Sequence, residues 1–200
     1  MYDELMNSEA NRPRRKNDPA GLRARVLDTA FTLFQSQGYN ATGVQEVAAV
    51  AGVTGGALHH HFPTKKVLGM AVIRERVATA VEETWVEPVR SARTAREGIL
   101  EVFGRLAEEL DRNGAVRGCP VNNLTLELAF ADSDFRSELR SLFDDWRAAI
   151  AEKISAAKPE SAANLAAMVV ASYSGAMAIA KVEQRGEPLR LCARELERLL

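Results

Sequence analysis

The residues with the clearest chemistry fall between 42 and 66, TGVQEVAAVAGVTGGALHHHFPTKK. Thr42 and Thr54 each precede a short run of apolar residues at helical spacing. A threonine there caps a helix, and the helix start turns backbone N–H groups outward, where they suit phosphate oxygens. Ala51-Gly52-Val53 separates the two runs, and glycine supplies the left-handed conformation a tight turn needs. Val47, Val53 and Leu58 are the apolar pins between the helices, and small Ala48 allows a close crossing. The pattern predicts a helix-turn-helix, whose later helix enters the major groove of DNA. Thr54, Gly55, Gly56, His59 and His60 fall on that later helix. Glycine permits close approach to a groove, and an imidazole can donate or accept a hydrogen bond. The His59-His60-His61 run predicts no metal site, because adjacent helical residues point about 100° apart and do not converge on one ion.

A second chemical candidate is Cys119. It stands directly before Pro120, a residue at home in the first helical position, so Cys119 falls near an N-cap. The positive end of a helix favours thiolate over thiol, and Arg117 adds to the effect. A thiolate there would react with electrophiles or oxidants. The alternative is a small, soft residue filling a gap at a helix start. Cys192 lies on the apolar stripe of the last helix and is expected to be inert. Two cysteines without a CxxC pair give neither a disulfide framework nor a structural zinc site. The chain has no GxGxxG, P-loop, GxSxG or HExxH. Its carboxylates, such as Glu108-Glu109-Asp111 and Asp144-Asp145, fall on exposed helical faces. An enzyme, a metal and a cofactor are therefore not expected.

The elements that position these residues read as helices throughout. The first opens near Asp18-Pro19, carries Leu22, Val26, Ala30, Leu33 and Phe34 at helical spacing, and ends at Gly38. Thr42 opens a helix over roughly 43–51 and Thr54 one over 55–61. Thr64 opens a long fourth helix that runs towards Trp85 and is expected to stop before Pro88. Ile99, Val102, Phe103, Leu106 and Leu110 form one stripe; Phe135, Leu139, Leu142, Trp146 and Ile150 form another. Pro120 opens a shorter helix with Leu124 and Leu128. Residues 160–185 and 187–200 are the last two helices. With no alternating pattern anywhere, the fold class is all-α. The expected division is a flexible basic arm at 1–17, a DNA-binding domain at 18–66, and a ligand-binding and dimerisation domain at 67–200.

Composition bounds the partners. The 200-residue chain is 46% hydrophobic and 26% charged, as a globular protein should be. A net charge of −1 disfavours a general polyelectrolyte binder. Local basicity does exist, since residues 12–25 hold six cations against Asp18, and such an arm suits phosphates. The stretch 161–180 is uncharged and long enough to span a bilayer. Ala, Ser, Gly and Asn dominate it, so a buried helix, and with it a cytoplasmic location, is the expectation.

From about Arg23 to Leu68 the chain resembles the DNA-binding domain of TetR-family regulators. Val26–Phe34, Gly38-Tyr39, Thr42, Val44, Val47-Ala48, Ala51-Gly52-Val53, Gly56-Ala57-Leu58, His60-His61-Phe62 and Lys65 carry the likeness. Gly55 and His59 depart from it, since the family often has Lys, Arg or Pro at the first position and Tyr at the second. From Gly118 onward, Gly-Cys-Pro-Val-Asn-Asn-Leu is similar to a drug-, flavonoid- and electrophile-responsive branch. The resemblance implies a homodimeric repressor that leaves a palindromic DNA site when a small hydrophobic, aromatic or electrophilic inducer binds. It places Gln45 and Lys65 near the DNA backbone. For the inducer it implies walls from Phe103, Leu106, Phe130, Trp146 and Ile150, with Cys119, Asn122, Asn123 and Glu127 as polar groups beside them. Ala167, Ala171 and Gly175, four residues apart, would let paired copies of the late helices approach closely.

Overall fold

The computed structural model describes residues 19–114 and 116–200, and among them every regular element is a helix. The basic arm and the Asp18 cap lie outside the described residues. α1 (Pro19–Gln37) buries Val26, Leu27, Ala30 and Phe34, the face its spacing predicts. Gly38 ends it at φ +90°. α2 (Val44–Val50) and α3 (Gly55–His61) follow, and Gly52 turns between them at φ +65°.

α4 (Lys65–Val72) starts a continuous rod. It passes through a π-helical turn (Ile73–Val77), α5 (Ala78–Val81), a second π-helical turn (Glu82–Val86) and α6 (Glu87–Ser91). The rod thus runs through Pro88 instead of stopping before it. The wide turn explains the difference: Glu87 N–H already reaches back five residues to the Glu82 carbonyl, so the ladder is offset where the proline ring arrives. α7 (Ala95–Asn113) is capped by Thr94 and closed by Gly114, φ +63°. α8 (Pro120–Leu128), α9 (Ser133–Ser155), α10 (Ala162–Glu183) and α11 (Glu187–Leu199) complete the chain.

The core centres on aromatic rings. Trp85 meets Tyr173 at 4.9 Å, Phe103 at 5.4 Å and Trp146 at 5.6 Å between centroids. Edge-to-face pairs of this kind are favourable beyond their buried area. α10, the uncharged helix, packs on α9 and α11 and buries Ala166, Val169, Val170, Tyr173, Ala176 and Met177. One side of it serves the core; Ala171, Gly175, Ile179 and Val182 lie on the other, exposed in the single chain.

Candidate nucleic-acid interface and inner cavity

The head is built on very little. Val47, Ala48 and Leu58 are buried, and Val53 N–H donates to the Ala48 carbonyl at 3.0 Å, so the turn folds α3 back across α2. The Thr54 hydroxyl caps α3 by accepting from Ala57 N–H (3.2 Å), as its position predicts. Gly56, His59 and His60 are exposed on α3. Gly55 is half-buried: a Cβ there would stand 3.2 Å from Gln45 Oε1, so the two helices meet closely at that point. Gln45 is exposed on α2 beside it.

Thr42 departs from expectation. It is 1% exposed, and its hydroxyl donates to the Gly38 carbonyl at 2.7 Å. Gly43 holds the N-cap of α2 instead. The end of α1 leaves carbonyls free, and Thr42 satisfies one of them from inside, which removes it from any surface DNA could touch.

The cations of the head are largely committed to the protein. Lys65 donates to the Asn40 carbonyl at 3.1 Å and sits 4.6 Å over the Tyr39 ring. Loss of water lowers its pKa, against which the Glu127 charge acts. Lys66 bonds Asp134 at 2.7 Å and pairs with Asp132. Arg23 pairs with Glu75. Arg25 is exposed with no ion pair among the described residues.

α8 grips the head directly. The Glu127 carboxylate accepts from Tyr39 N–H (3.1 Å) and Asn40 N–H (2.9 Å), the loop between α1 and α2. One turn back, Asn123 Nδ2 donates to Gln35 Oε1 at 3.1 Å. At the other end of α8, Cys119, Pro120 and Val121 help to line a cavity of about 60 Å³. Trp85, Trp146 and Tyr173 complete its wall, and Val77 and Thr84 bring the two π-helical turns to it. One short helix therefore touches both the cavity and the head.

The comparisons with known proteins follow this division. Residues 26–72 match the family described as bacterial regulatory proteins, tetR family, and residues 95–195 match the transcriptional regulator LmrA/YxaF-like C-terminal domain. The chain belongs to the TetR family. It is a helix-turn-helix, DNA-binding transcription regulator, not an enzyme. It is similar to the regulator YxaF of Bacillus subtilis, with 27% identity over 177 residues, 87% of this chain and 92% of the relative. It is also similar to the regulator AcuR of Cereibacter sphaeroides, at 29% over 195 residues, covering 94% and 89%. The repressor DhaR of a Mycobacterium species is 26% identical over 182 residues, covering 84% and 86%. Among solved structures, the reduced form of E. coli NemR superposes with a TM-score of 0.77 at 20% identity, over 88% of this chain and 96% of that one. A TetR-family regulator of Chloroflexus aurantiacus gives 0.74 at 26%, over 90% and 94%.

Within this TetR fold the residues expected around a ligand divide sharply. Cys119 and Trp146 line the cavity. Phe103 and Ile150 are buried in the core without reaching its wall, Phe103 standing behind Trp85 and Tyr173. Leu106 is half-buried against the same core. Phe130 is 98% exposed, in the turn after α8, and is not in the wall of that cavity; the helix ends at Leu128, so the stripe through Leu124 and Leu128 does not extend to it. The polar residues are structural ties. Asn122 Nδ2 donates to the Ser174 carbonyl at 3.2 Å, Asn123 holds Gln35, and Glu127 faces the head instead of the cavity.

Cys119 does sit at the N-cap of α8, yet its thiol pKa is raised, not lowered. Burial dominates, and the nearby Asn122 N–H, Tyr173 hydroxyl and Val121 N–H only partly oppose it. A helix terminus stabilises a thiolate by a fraction of what burial in an apolar wall removes. Trp85 and Tyr173 escaped the sequence reading. Tyr173 had a signal: it is a lone phenol in a helix of Ala, Ser, Met and Val.

Proposed function

We propose that this regulator is a homodimeric repressor whose two heads hold a near-palindromic operator until a small molecule enters the inner cavity. The observation that carries the reading is α8, with the cavity at one end and the Glu127 clamp on the head at the other. A ligand that spreads the wall moves the helix that places the loop before α2, and so biases the spacing of the heads. In this reading residues 18–66 read DNA and 67–200 sense and pair. Gln45, Thr54, Gly55, Gly56, His59 and His60 form the reading face, and Lys65 contributes a backbone contact.

The pairing surface is the exposed side of α10 with α11. Ala171 and Gly175 are small enough for close helix approach, and Ile179, Val182 and Leu191 are large apolar side chains left in water by the single chain. A two-fold dimer would bury them isologously. The late helices thereby account for the uncharged stretch as core on one side and interface on the other.

The test is a fluorescence-anisotropy titration against duplex from the region upstream of the chain's own gene, with sedimentation on the same sample. Two protomers should bind per duplex at a site with two-fold symmetry. A monomer at micromolar concentration, or equal affinity for unrelated duplex, would overturn the reading.

A further inference from the structure

The cavity is specific about what it can hold. No side chain in its wall carries a charge. An anion would be buried without a partner, and desolvating it is costly. Aromatic faces can attract a cation, but the wall contains no carboxylate and already presents N–H donors. Its size is equally restrictive. A void of about 60 Å³ is several times the room one water requires and well under the roughly 150 Å³ of a cavity that binds benzene.

Two polar groups in the wall lack a partner. Trp85 and Trp146 are each 1% exposed, and the indole N–H of each meets no acceptor. A buried donor without an acceptor is costly, and an incoming oxygen that meets it relieves the cost. The two π-helical turns border the same void. Such turns recur at functional sites, and here they widen the rod where the wall must admit something.

We infer that the cavity binds a compact, uncharged molecule of about three or four non-hydrogen atoms that carries one hydrogen-bond-accepting oxygen, such as a small ketone, held through an indole N–H of Trp85 or Trp146. This rests on the cavity being the sensing site, and it narrows the inducer from hydrophobic molecules in general to small neutral acceptors. Apolar contact with Val77, Val81 and the tryptophan rings supplies the binding, and an indole donor supplies the selection.

The chain has two tryptophans, Trp85 and Trp146, both in the wall, so its indole N–H signals report on the cavity directly. Full-length protein labelled with ¹⁵N-tryptophan is titrated with acetone and with three probes of similar size: the hydrocarbon 2-methylpropene, acetate and trimethylammonium. Trp85→Phe and Trp146→Phe assign the signals. Acetone should shift an indole signal saturably and bind about tenfold more tightly than the hydrocarbon. In the variant that removes that indole the ketone's advantage should vanish while the hydrocarbon still binds. Equal binding of ketone and hydrocarbon by the native protein overturns the inference and needs no variant. So does tighter binding of trimethylammonium or acetate, or no response of either indole to any probe. The same titration with retained operator duplex separates this from the sensing role: ketone binding that leaves DNA bound supports the ligand class and defeats the repressor-release reading.

Discussion

In the head, α2 and α3 bury Val47, Ala48 and Leu58 and leave most of their remaining surface to water. Around Trp85, the rings of Phe103, Trp146 and Tyr173 close on one another at 4.9–6.2 Å between centroids. The head is held to the rest of the chain by α1, by one ring contact from Tyr39 to Phe135 of α9 at 5.4 Å, and by polar ties: Glu127 to the Tyr39-Asn40 loop, Asn123 to Gln35, Lys66 to Asp132 and Asp134. Polar ties near the surface exchange with water at little cost, whereas interdigitated rings do not. The difference locates the compliant joint of the molecule. In the proposed reading a ligand has little freedom to deform the aromatic packing locally, so strain would leave the cavity through α8 and be taken up where the head is tied.

The largest expected effect tests the stiff side. Trp85→Ala should destabilise the fold by about 3–5 kcal/mol, the usual cost of removing a large buried ring. Leu58→Ala in the head should cost about 2 kcal/mol, because few buried neighbours surround it and the site collapses more readily. Scanning calorimetry on both variants checks the order. If Leu58→Ala proved the more costly, the head would be the stiffer unit and the comparison would reverse.

A middle-sized effect tests the joint. Glu127→Ala frees two backbone N–H groups, of which that of Tyr39 is partly buried and that of Asn40 exposed. Water replaces the carboxylate at Asn40, so the net cost is about 1 kcal/mol. DNA affinity should fall by about fivefold as the α1–α2 loop loosens, while binding in the cavity stays as it was. Hydrogen exchange at Tyr39 N–H should speed up in parallel. A Glu127→Ala protein with native affinity and native exchange would show that α8 does not position the head.

Lys65→Ala is expected to act more modestly. A plain phosphate contact predicts weaker binding to every sequence alike and a salt slope flatter by about one unit. The structure adds a second task, because the same ammonium braces the Asn40 carbonyl and covers the Tyr39 ring. Affinity measured at several salt concentrations tells them apart. A loss of affinity with an unchanged slope would make Lys65 a brace of the head alone.

The parts legible in the sequence are those decided locally. Gly38 and Gly52 adopt the positive φ their positions require, Thr54 and Thr64 cap their helices, and the stripes of α1, α7 and α9 bury the predicted faces. Thr42 misled because capping and hydrogen bonding back to the preceding helix use the same hydroxyl, and only the path of the chain chooses between them. Glu127 and Phe130 misled for a related reason. Periodicity says which residues share a face of α8, but not that the head covers part of it or that the helix stops at Leu128. The cavity was the least legible part. Its wall draws on the rod, α8, α9 and α10, and no spacing within one helix reveals which residues meet across four.

The smallest effect concerns Cys119. Burial raises its thiol pKa above the ordinary value, and the folded chain therefore favours the neutral thiol. The sign follows from that shift. A thiol raised on folding contributes stability that is present below the unfolded value and is lost as pH rises through the folded one. At neutral pH Cys119 is protonated in both states, so that contribution is fully present and does not vary with pH. Since the thiolate is the nucleophile, attack by electrophiles should be slow until the pH exceeds the ordinary thiol range or the protein opens. Cys192 on α11 is half-buried and its thiol is raised as well, so it is no faster by ionisation but is easier to reach. Mass spectrometry of the native protein treated with a reactive quinone near pH 7 should find Cys119 modified last. DNA release by the quinone should then be the same in native protein, Cys119→Ser and Cys192→Ser. If only Cys119→Ser lost the response, the thiol would have to reach solvent in a conformation other than this one. The aromatic wall would then be the compliant part of the molecule, and the contrast with the head would no longer hold.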